Sequence, residues 1–407
     1  MELEQALSTL QEAGLPAIDS HLLSGFALPL LQTLAVQRSV SGARLPMLAL
    51  NGPVGPGKST LGRVLEVLAP ALGLRLIVAS IDDLYLPWPQ RQRQLAGNPF
   101  DVWRVPPGSH DLPLLLEALG RWRQSGFLRL PRFDKTLAEG QGDRCGWREG
   151  PCDALVLEGW LMGCRALGPQ ALAAARVHQD LSRPGPDGAP ALTAIEQDWL
   201  PHWDRQLQAY EPLWQACDGL WMLRPRSWSL PRRWRFQAEA RQRHSGGGWL
   251  KPAELDRVVR ASLCSLPPLL YQNPLAADPQ LMEGDVEPAG GVEHDALPVS
   301  GFPEQNQCFS EHPGLAVIND LSNPSSAYRD QGRQNKSDPS EPSPTLGTEP
   351  LSERPLLERA GDRWSAQLQG SVLPVQAVAV LDGRRRCLAI QRRRPQASPS
   401  VSSSLIG

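Results

Sequence analysis

Lysine is nearly missing from this chain. Of 407 residues 41 are lysine or arginine, and only Lys58, Lys135, Lys251 and Lys336 are lysines. Where a lysine does occur, its position asks for a reason. Charge of either sign is not in excess: the formal net charge of −2 leaves no electrostatic footprint for nucleic acid or an anionic membrane. Seven cysteines, at 145, 152, 164, 217, 264, 308 and 387, show no C-x-x-C spacing. That argues against a disulfide framework or a zinc site and for reduced packing thiols in a cytosolic protein. No apolar run approaches the length of a membrane span, and residues 1–20 read as an acidic helical segment, not a signal sequence. Apolar residues make up 41%, enough for a core, and the length allows one large α/β unit with room for more.

What is present is the run Gly52-Pro53-Val54-Gly55-Pro56-Gly57-Lys58-Ser59, which satisfies the pattern G-x-x-x-x-G-K-S/T at every fixed position. Residues 46–51 before it read as a short buried strand, and Thr60 to Leu68 after it as an amphipathic helix. Such a loop turns its backbone N–H groups toward a phosphate chain, and the helix N-terminus adds a positive field. Residues Gly52 to Thr60 are therefore the nucleotide-binding candidates. Lys58 is placed to reach the β- and γ-phosphates and Ser59 to offer a hydroxyl to Mg²⁺.

From 46 to about 225, short apolar runs alternate with amphipathic stretches, which predicts βαβ units and a parallel sheet flanked by helices. The strand candidates are 47–51, 74–80, 127–130, 154–158 and 219–223. Helices are expected at 58–69, 111–124, 195–216, 228–244 and 252–263. The expected organisation is N-terminal helices over 1–45 packed on the core and a phosphate-loop domain over 46–272. A Pro/Ser/Gly-rich insertion without stable order follows over 273–370, then a terminal hairpin over 371–394 and a disordered tail over 395–407. The arginine runs Arg384–Arg386 and Arg392–Arg394 read as solvated turn and tail charge. Seven tryptophans between 199 and 249 read as core and lid packing.

A phosphate loop alone does not separate kinases from switches, motors or assembly factors; its neighbours have to decide. Ligands gather at the carboxyl ends of strands in such sheets, and the second strand ends in Ser80-Ile81-Asp82-Asp83-Leu84-Tyr85. Asp82 is the candidate general base and a possible metal ligand, with Asp83 and Tyr85 as substrate contacts. Glu158 ends the apolar strand 154–158, where a carboxylate calls for a metal neighbour. Ser59, Asp82 and Glu158 are thus the metal-ligating candidates. His110, Arg132, Lys135 and Arg144 form a basic group suited to a small anionic substrate. Arg235, within Arg232–Arg241, is the candidate lid arginine acting on the transferring phosphoryl group. No Asn-Lys-x-Asp guanine-reading motif follows the fifth strand candidate.

In order along the chain, GPVGPGKSTL (52–61), SIDDLYL (80–86), GNPFDVWRVPPGSHD (97–111), PRFDKTLAEGQGDR (131–144), LVLEGWLMG (155–163) and RWRFQAEARQR (233–243) resemble the D-glycerate 3-kinases of plant and cyanobacterial type. These are phosphate-loop kinases related to phosphoribulokinase, uridine kinase and pantothenate kinase. The resemblance covers roughly 46–272. It implies the phosphate-loop NTPase fold with a helical lid, and ATP and Mg²⁺ as cofactors. It also implies transfer of a phosphoryl group to D-glycerate to give 3-phosphoglycerate, the salvage step of photorespiration. Asp82 matches the aspartate that related kinases use as base, and Glu158 the acidic strand-end residue. Leu84 departs from the phenylalanine frequent in the family, and about a hundred residues separate Leu270 from the last strand candidate. Another acceptor (pantothenate, a nucleoside or a sugar acid) and a nucleotide-dependent switch or assembly factor remain the alternatives. A cytoplasmic, monomeric enzyme acting on a small molecule, without nucleic acid or membrane partners, is the expectation.

Overall fold

The computed structural model describes residues 1–40, 44–138, 140–244, 250–283 and 373–393, apart from the side chains of Gln242 and Glu283. The expected insertion from 284 onward and the expected tail lie outside these residues, as do Trp249, Cys308 and Arg394. Nine strands are described: β1 (Met47–Asn51), β2 (Leu76–Ser80), β3 (Phe127–Asp134), β4 (Asp143–Pro151), β5 (Ala154–Gly159), β6 (Gly219–Pro225), β7 (Leu281–Glu283), β8 (Val375–Leu381) and β9 (Cys387–Arg393). Seven of them form one sheet in the order β2-β5-β1-β6-β8-β9-β7. From β2 to β8 every pairing is parallel; β9 and β7 close the edge in antiparallel fashion. This is the phosphate-loop NTPase fold, a mostly parallel sheet flanked by helices.

The central strands are continuous apolar runs because helices cover both faces of the sheet. Side-chain alternation divides each strand between two cores. Met47 and Ala49 of β1, with Leu155 and Leu157 of β5, pack on one side with Leu115, Leu119 and Trp122 of the Leu112–Ser125 helix. Leu48 and Leu50, with Ala154 and Val156, face the other side. There they meet Leu61, Val64 and Leu65 of the Lys58–Leu68 helix and Leu30, Leu31 and Leu34 of the Leu28–Ser39 helix. Trp203, Trp214 and Trp234 are fully buried, as core packing requires. Among the described residues no helix is long and apolar enough to cross a membrane.

Three differences from the sequence expectation bear on the site. The strand beginning at Phe127 is not part of the parallel sheet; it pairs antiparallel with β4 in a separate two-stranded sheet. The long helix expected over 195–216 is broken into Ala194–Leu207, a 3-10 turn and Glu211–Ala216, where Pro212 and the turn at Gln208–Tyr210 intervene. Residues 273–283, expected to open the insertion, instead form a short helix and β7. Their polar composition has a structural use. Asn273 Oδ1 accepts from Arg224 (3.0 Å) and Trp228 (3.1 Å), while its Nδ2 donates to Asp187 (2.8 Å).

Candidate active site

The turn from β1 into the Lys58–Leu68 helix is made by glycines with left-handed backbone, Gly55 (φ 83°) and Gly57 (φ 105°). The helix has no side-chain N-cap, so its first N–H groups face the loop without an internal partner. Lys58 Nζ donates to the carbonyls of Gly52 and Pro53, each at 2.8 Å, and lies 3.6 Å from Glu158 Oε2. Burial pulls the Lys58 pKa below its ordinary value, and the charges of Glu158 and Asp82 oppose that pull. Glu158 itself is 6% exposed, at the carboxyl end of β5 in register with Leu50 of β1 and Ser80 of β2. Ser59 Oγ donates to its Oε1 at 3.4 Å. A hydroxyl and a carboxylate therefore meet at the foot of the loop. This all-oxygen donor set fits Mg²⁺, which prefers one or two protein oxygens plus phosphate and water. No group of three or more His, Cys, Asp or Glu side chains able to hold a metal exists among the described residues.

β2 runs out at Ser80, whose Oγ accepts from Asp82 N (3.3 Å) and starts the 3-10 turn Ile81–Leu84. The adjacent aspartates then diverge. Asp82 Oδ1 accepts from the Tyr85 hydroxyl at 2.9 Å and Oδ2 from Lys135 Nζ at 3.0 Å. Burial by itself would raise the Asp82 pKa; the Lys135 ammonium and the two donors overcome it and hold the carboxyl well below the usual range. Asp83 Oδ1 instead accepts from Phe133 N at 3.1 Å, tying the turn to β3, and burial pushes its pKa up.

A cavity of about 1070 Å³ unites these groups: Lys58, Ser59, Asp82, Asp83, Tyr85, Lys135, Glu158 and Arg235 all border it. Arg235 reaches it from the Leu230–His244 helix and is paired with Glu239 one turn on, at 2.8 Å. The other basic candidates lie elsewhere. Arg144 is used inside the fold, donating to Tyr85 O (3.1 Å) and Asp111 Oδ2 (2.8 Å), and Asp111 also caps the Leu112–Ser125 helix. Arg132 is exposed on β3 and borders a neighbouring depression with Cys145 and Arg148. His110 is buried and stacked on Tyr85, ring centroids 4.7 Å apart, with Nδ1 2.6 Å from the Tyr210 hydroxyl. Burial lowers its pKa to about 4, so at neutral pH it carries no charge and cannot act as a cationic clamp.

Several arginines at the cavity escaped the sequence reading, Arg104 and Arg385 among them. Arg104, 5% exposed, borders it from the 97–111 loop. Arg385, in the β8–β9 turn at φ 66°, was expected to be solvated; its Nε donates to Gly55 O (2.8 Å) and its Nη2 to Trp234 O (3.0 Å). No local signal separates either residue from the many other arginines of the chain.

No protein-family model matches the chain. The chloroplastic D-glycerate 3-kinase of Arabidopsis thaliana is 28% identical over 250 residues, which is 57% of this chain and 50% of that protein. An uncharacterized kinase of Schizosaccharomyces pombe, mug58, is 29% identical over 206 residues, 47% of this chain and 69% of that one. Among solved structures, D-glycerate 3-kinase from Cryptococcus neoformans superposes with a TM-score of 0.53 at 26% identity, covering 62% of this chain and 89% of that chain. The match thus spans half the length of the Arabidopsis relative. In sequence and fold the chain resembles the D-glycerate 3-kinases.

Proposed function

We propose that the chain is an ATP-dependent kinase that phosphorylates D-glycerate to 3-phosphoglycerate. The observation that carries the reading is a carboxylate held ionised, Asp82, on the same cavity as the phosphate-loop Lys58 and Ser59. The fold, the resemblance to D-glycerate 3-kinases and the absence of a guanine-reading motif support it. A carboxylate at the end of a strand beside a phosphate loop serves a phosphotransferase better than a switch.

In this mechanism Gly52 to Thr60 bind the triphosphate, with Lys58 on the β- and γ-phosphates. The primary hydroxyl oxygen of glycerate forms a bond to the γ-phosphorus as the bond from that phosphorus to the β–γ bridging oxygen breaks. The hydroxyl proton passes to Asp82. A carboxylate of such low basicity does not pull that proton off early. It orients the hydroxyl and takes the proton late, as a loose phosphoryl transition state allows. Asp83, Tyr85 and Lys135 fix Asp82 and the acceptor, and Arg235 answers the charge on the transferring group. Mg²⁺, when bound, neutralises charge on the β- and γ-phosphates; Ser59 and Glu158 are the residues that would hold it. The same reading makes the protein a cytoplasmic monomer serving photorespiratory salvage.

The test is ADP release, by coupled assay, with D-glycerate, L-glycerate, pantothenate and uridine offered in turn. D-Glycerate is expected to give the highest kcat/KM. Turnover with pantothenate or uridine and none with D-glycerate would overturn the assignment while keeping a kinase. ATP turnover indifferent to all four would favour a switch.

A further inference from the structure

Two arginines are buried beside the cavity, and they are buried differently. Arg91 is fully enclosed. Its guanidinium donates to the carbonyls of Leu86 (2.8 Å), Trp103 (2.9 Å), Gln141 (3.1 Å) and Gly142, and its face lies 4.9 Å from the centroid of the Phe133 ring. Every edge of that fork is occupied, so Arg91 is a tie between the 97–111 loop and the β3–β4 turn. Among the described residues Arg104 donates once, from Nη1 to Gly140 O at 2.9 Å, and forms no ion pair. It borders the cavity.

That is an unusual position for a guanidinium. A buried charge is normally matched by a carboxylate, because desolvation is costly when nothing answers it. Three other cations on this cavity are paired with carboxylates, Lys58 with Glu158, Lys135 with Asp82 and Arg235 with Glu239, and Arg385 is held by two carbonyls. Burial pulls the Arg104 pKa down, and the groups close enough to act on its charge are Tyr85, Asp82 and Glu239, which favour it, and Arg235, which opposes it. Its own loop is held rigidly. Asn98 Nδ2 donates to the carbonyls of Leu95 (2.7 Å) and Val102 (2.8 Å), and Gly108 N donates to the Tyr210 hydroxyl (3.1 Å). The next residue, Val105, has φ 94°, a backbone conformation that a β-branched side chain strongly disfavours. Strain of that kind persists where the surroundings over-determine it and marks a site. Here it falls on the residue that follows Arg104 and borders the same cavity.

We infer that Arg104 is the specificity residue that receives the carboxylate of the acceptor, through the free part of its fork. The inference rests on the proposed phosphoryl transfer to a hydroxy acid and names the group that recognises the acid. Glycerate carries its carboxylate and its primary hydroxyl at opposite ends of a three-carbon chain. Arg104 takes the first and Asp82 the second. A guanidinium fork matches a carboxylate in two parallel hydrogen bonds and has nothing comparable to offer glycerol.

The experiment compares wild type, Arg104→Gln and Arg104→Lys in ADP release with D-glycerate and with glycerol, with KM measured separately for ATP. Stabilisation by ADP in a thermal melt reports that each variant keeps its nucleotide site. For Arg104→Gln the KM for D-glycerate is expected to rise by roughly 10- to 100-fold, the range for a lost hydrogen bond to a charged group. KM for ATP should stay within about twofold, and the preference for D-glycerate over glycerol should largely vanish; Arg104→Lys should fall between. An unchanged KM for D-glycerate in an active variant overturns the inference and leaves the kinase reading standing. A rise confined to ATP, or loss of the ADP-induced stabilisation, also overturns it, because Arg104 would then serve the nucleotide or the fold. A wild type that releases no ADP with D-glycerate defeats the glycerate assignment, and this inference with it.

Discussion

Asp82 is held by two donors and one full charge, and the consequences can be measured. Asp82→Asn keeps the shape and removes the proton acceptor. Its kcat is expected to fall by about 10²–10⁴-fold while KM for ATP changes little; a variant with normal turnover would take Asp82 out of the mechanism. The pH dependence follows from the sign of the shift. A carboxyl whose folded pKa is depressed stays ionised as pH falls through the ordinary value of about 3.9. The stability it contributes is present above that value and lost only as pH falls through the folded pKa. The wild-type acid limb of kcat/KM should therefore not come from Asp82, and no histidine inflection near neutrality is expected from His110, whose pKa lies at about 4. Lys135→Met removes the charge that opposes burial. The Asp82 pKa should then climb, and an acid limb should appear about 1–3 units higher; coincident wild-type and variant profiles would refute the pairing as its cause. Lys58, Asp82 and Glu158 were legible in the sequence because each ends a strand or follows a fixed motif. Arg104 was not, since no fixed motif marks it and only the folded chain brings it to the cavity.

At the scale of elements, the phosphate loop is clamped from outside. A Cβ on Gly55 would lie 2.8 Å from Trp234 Cβ and 2.9 Å from Arg235 N, so the Leu230–His244 helix approaches the loop as closely as a glycine permits. Arg385 in the β8–β9 turn then joins the two by donating to Gly55 O and Trp234 O, and Trp234 Nε1 returns a bond to Gly383 O at 3.1 Å. Gly55→Ala combines a positive φ with this clash and should weaken ADP binding at least tenfold, read by thermal-shift titration. Arg385→Ala leaves two carbonyls without their donor. At about 1 kcal/mol for a typical hydrogen bond, nucleotide affinity should drop roughly 3- to 10-fold, and an unaltered affinity would show that the clamp is dispensable. The buried strands β1, β2, β5 and β6 could be read from their apolar runs. β4 could not: Asp143–Pro151 is polar, glycine-containing and largely exposed, and only its partner β3 makes it a strand.

For the whole molecule, the question is how much of the chain the chemistry needs. Residues 281–283 pair with β9, and β8 lies between β6 and β9, with Val375, Ala377, Val378, Ala379 and Leu381 buried. The part outside the described fold therefore begins at 284, later than its composition suggested, and ends at 372. A replacement must bridge Glu283 and Leu373. Glu283 is level with Gln391 and so with Val378, two strands away from β8. Two strand spacings give about 10 Å sideways, and the five residues from Leu373 to Val378 give about 16 Å lengthwise, so the gap is about 19 Å. A Gly/Ser linker of about twelve residues has an r.m.s. span of about 19 Å. With 284–372 replaced by such a linker, kcat and KM for D-glycerate and ATP should stay within about twofold of wild type, because every residue given a role in the transfer lies among the described residues. Loss of turnover in a variant that still melts cooperatively would give the segment a part in catalysis. Removing 373–393 as well should instead leave no cooperative melt, because β6 would lose one of its two parallel neighbours and Gly55 the arginine that pins it.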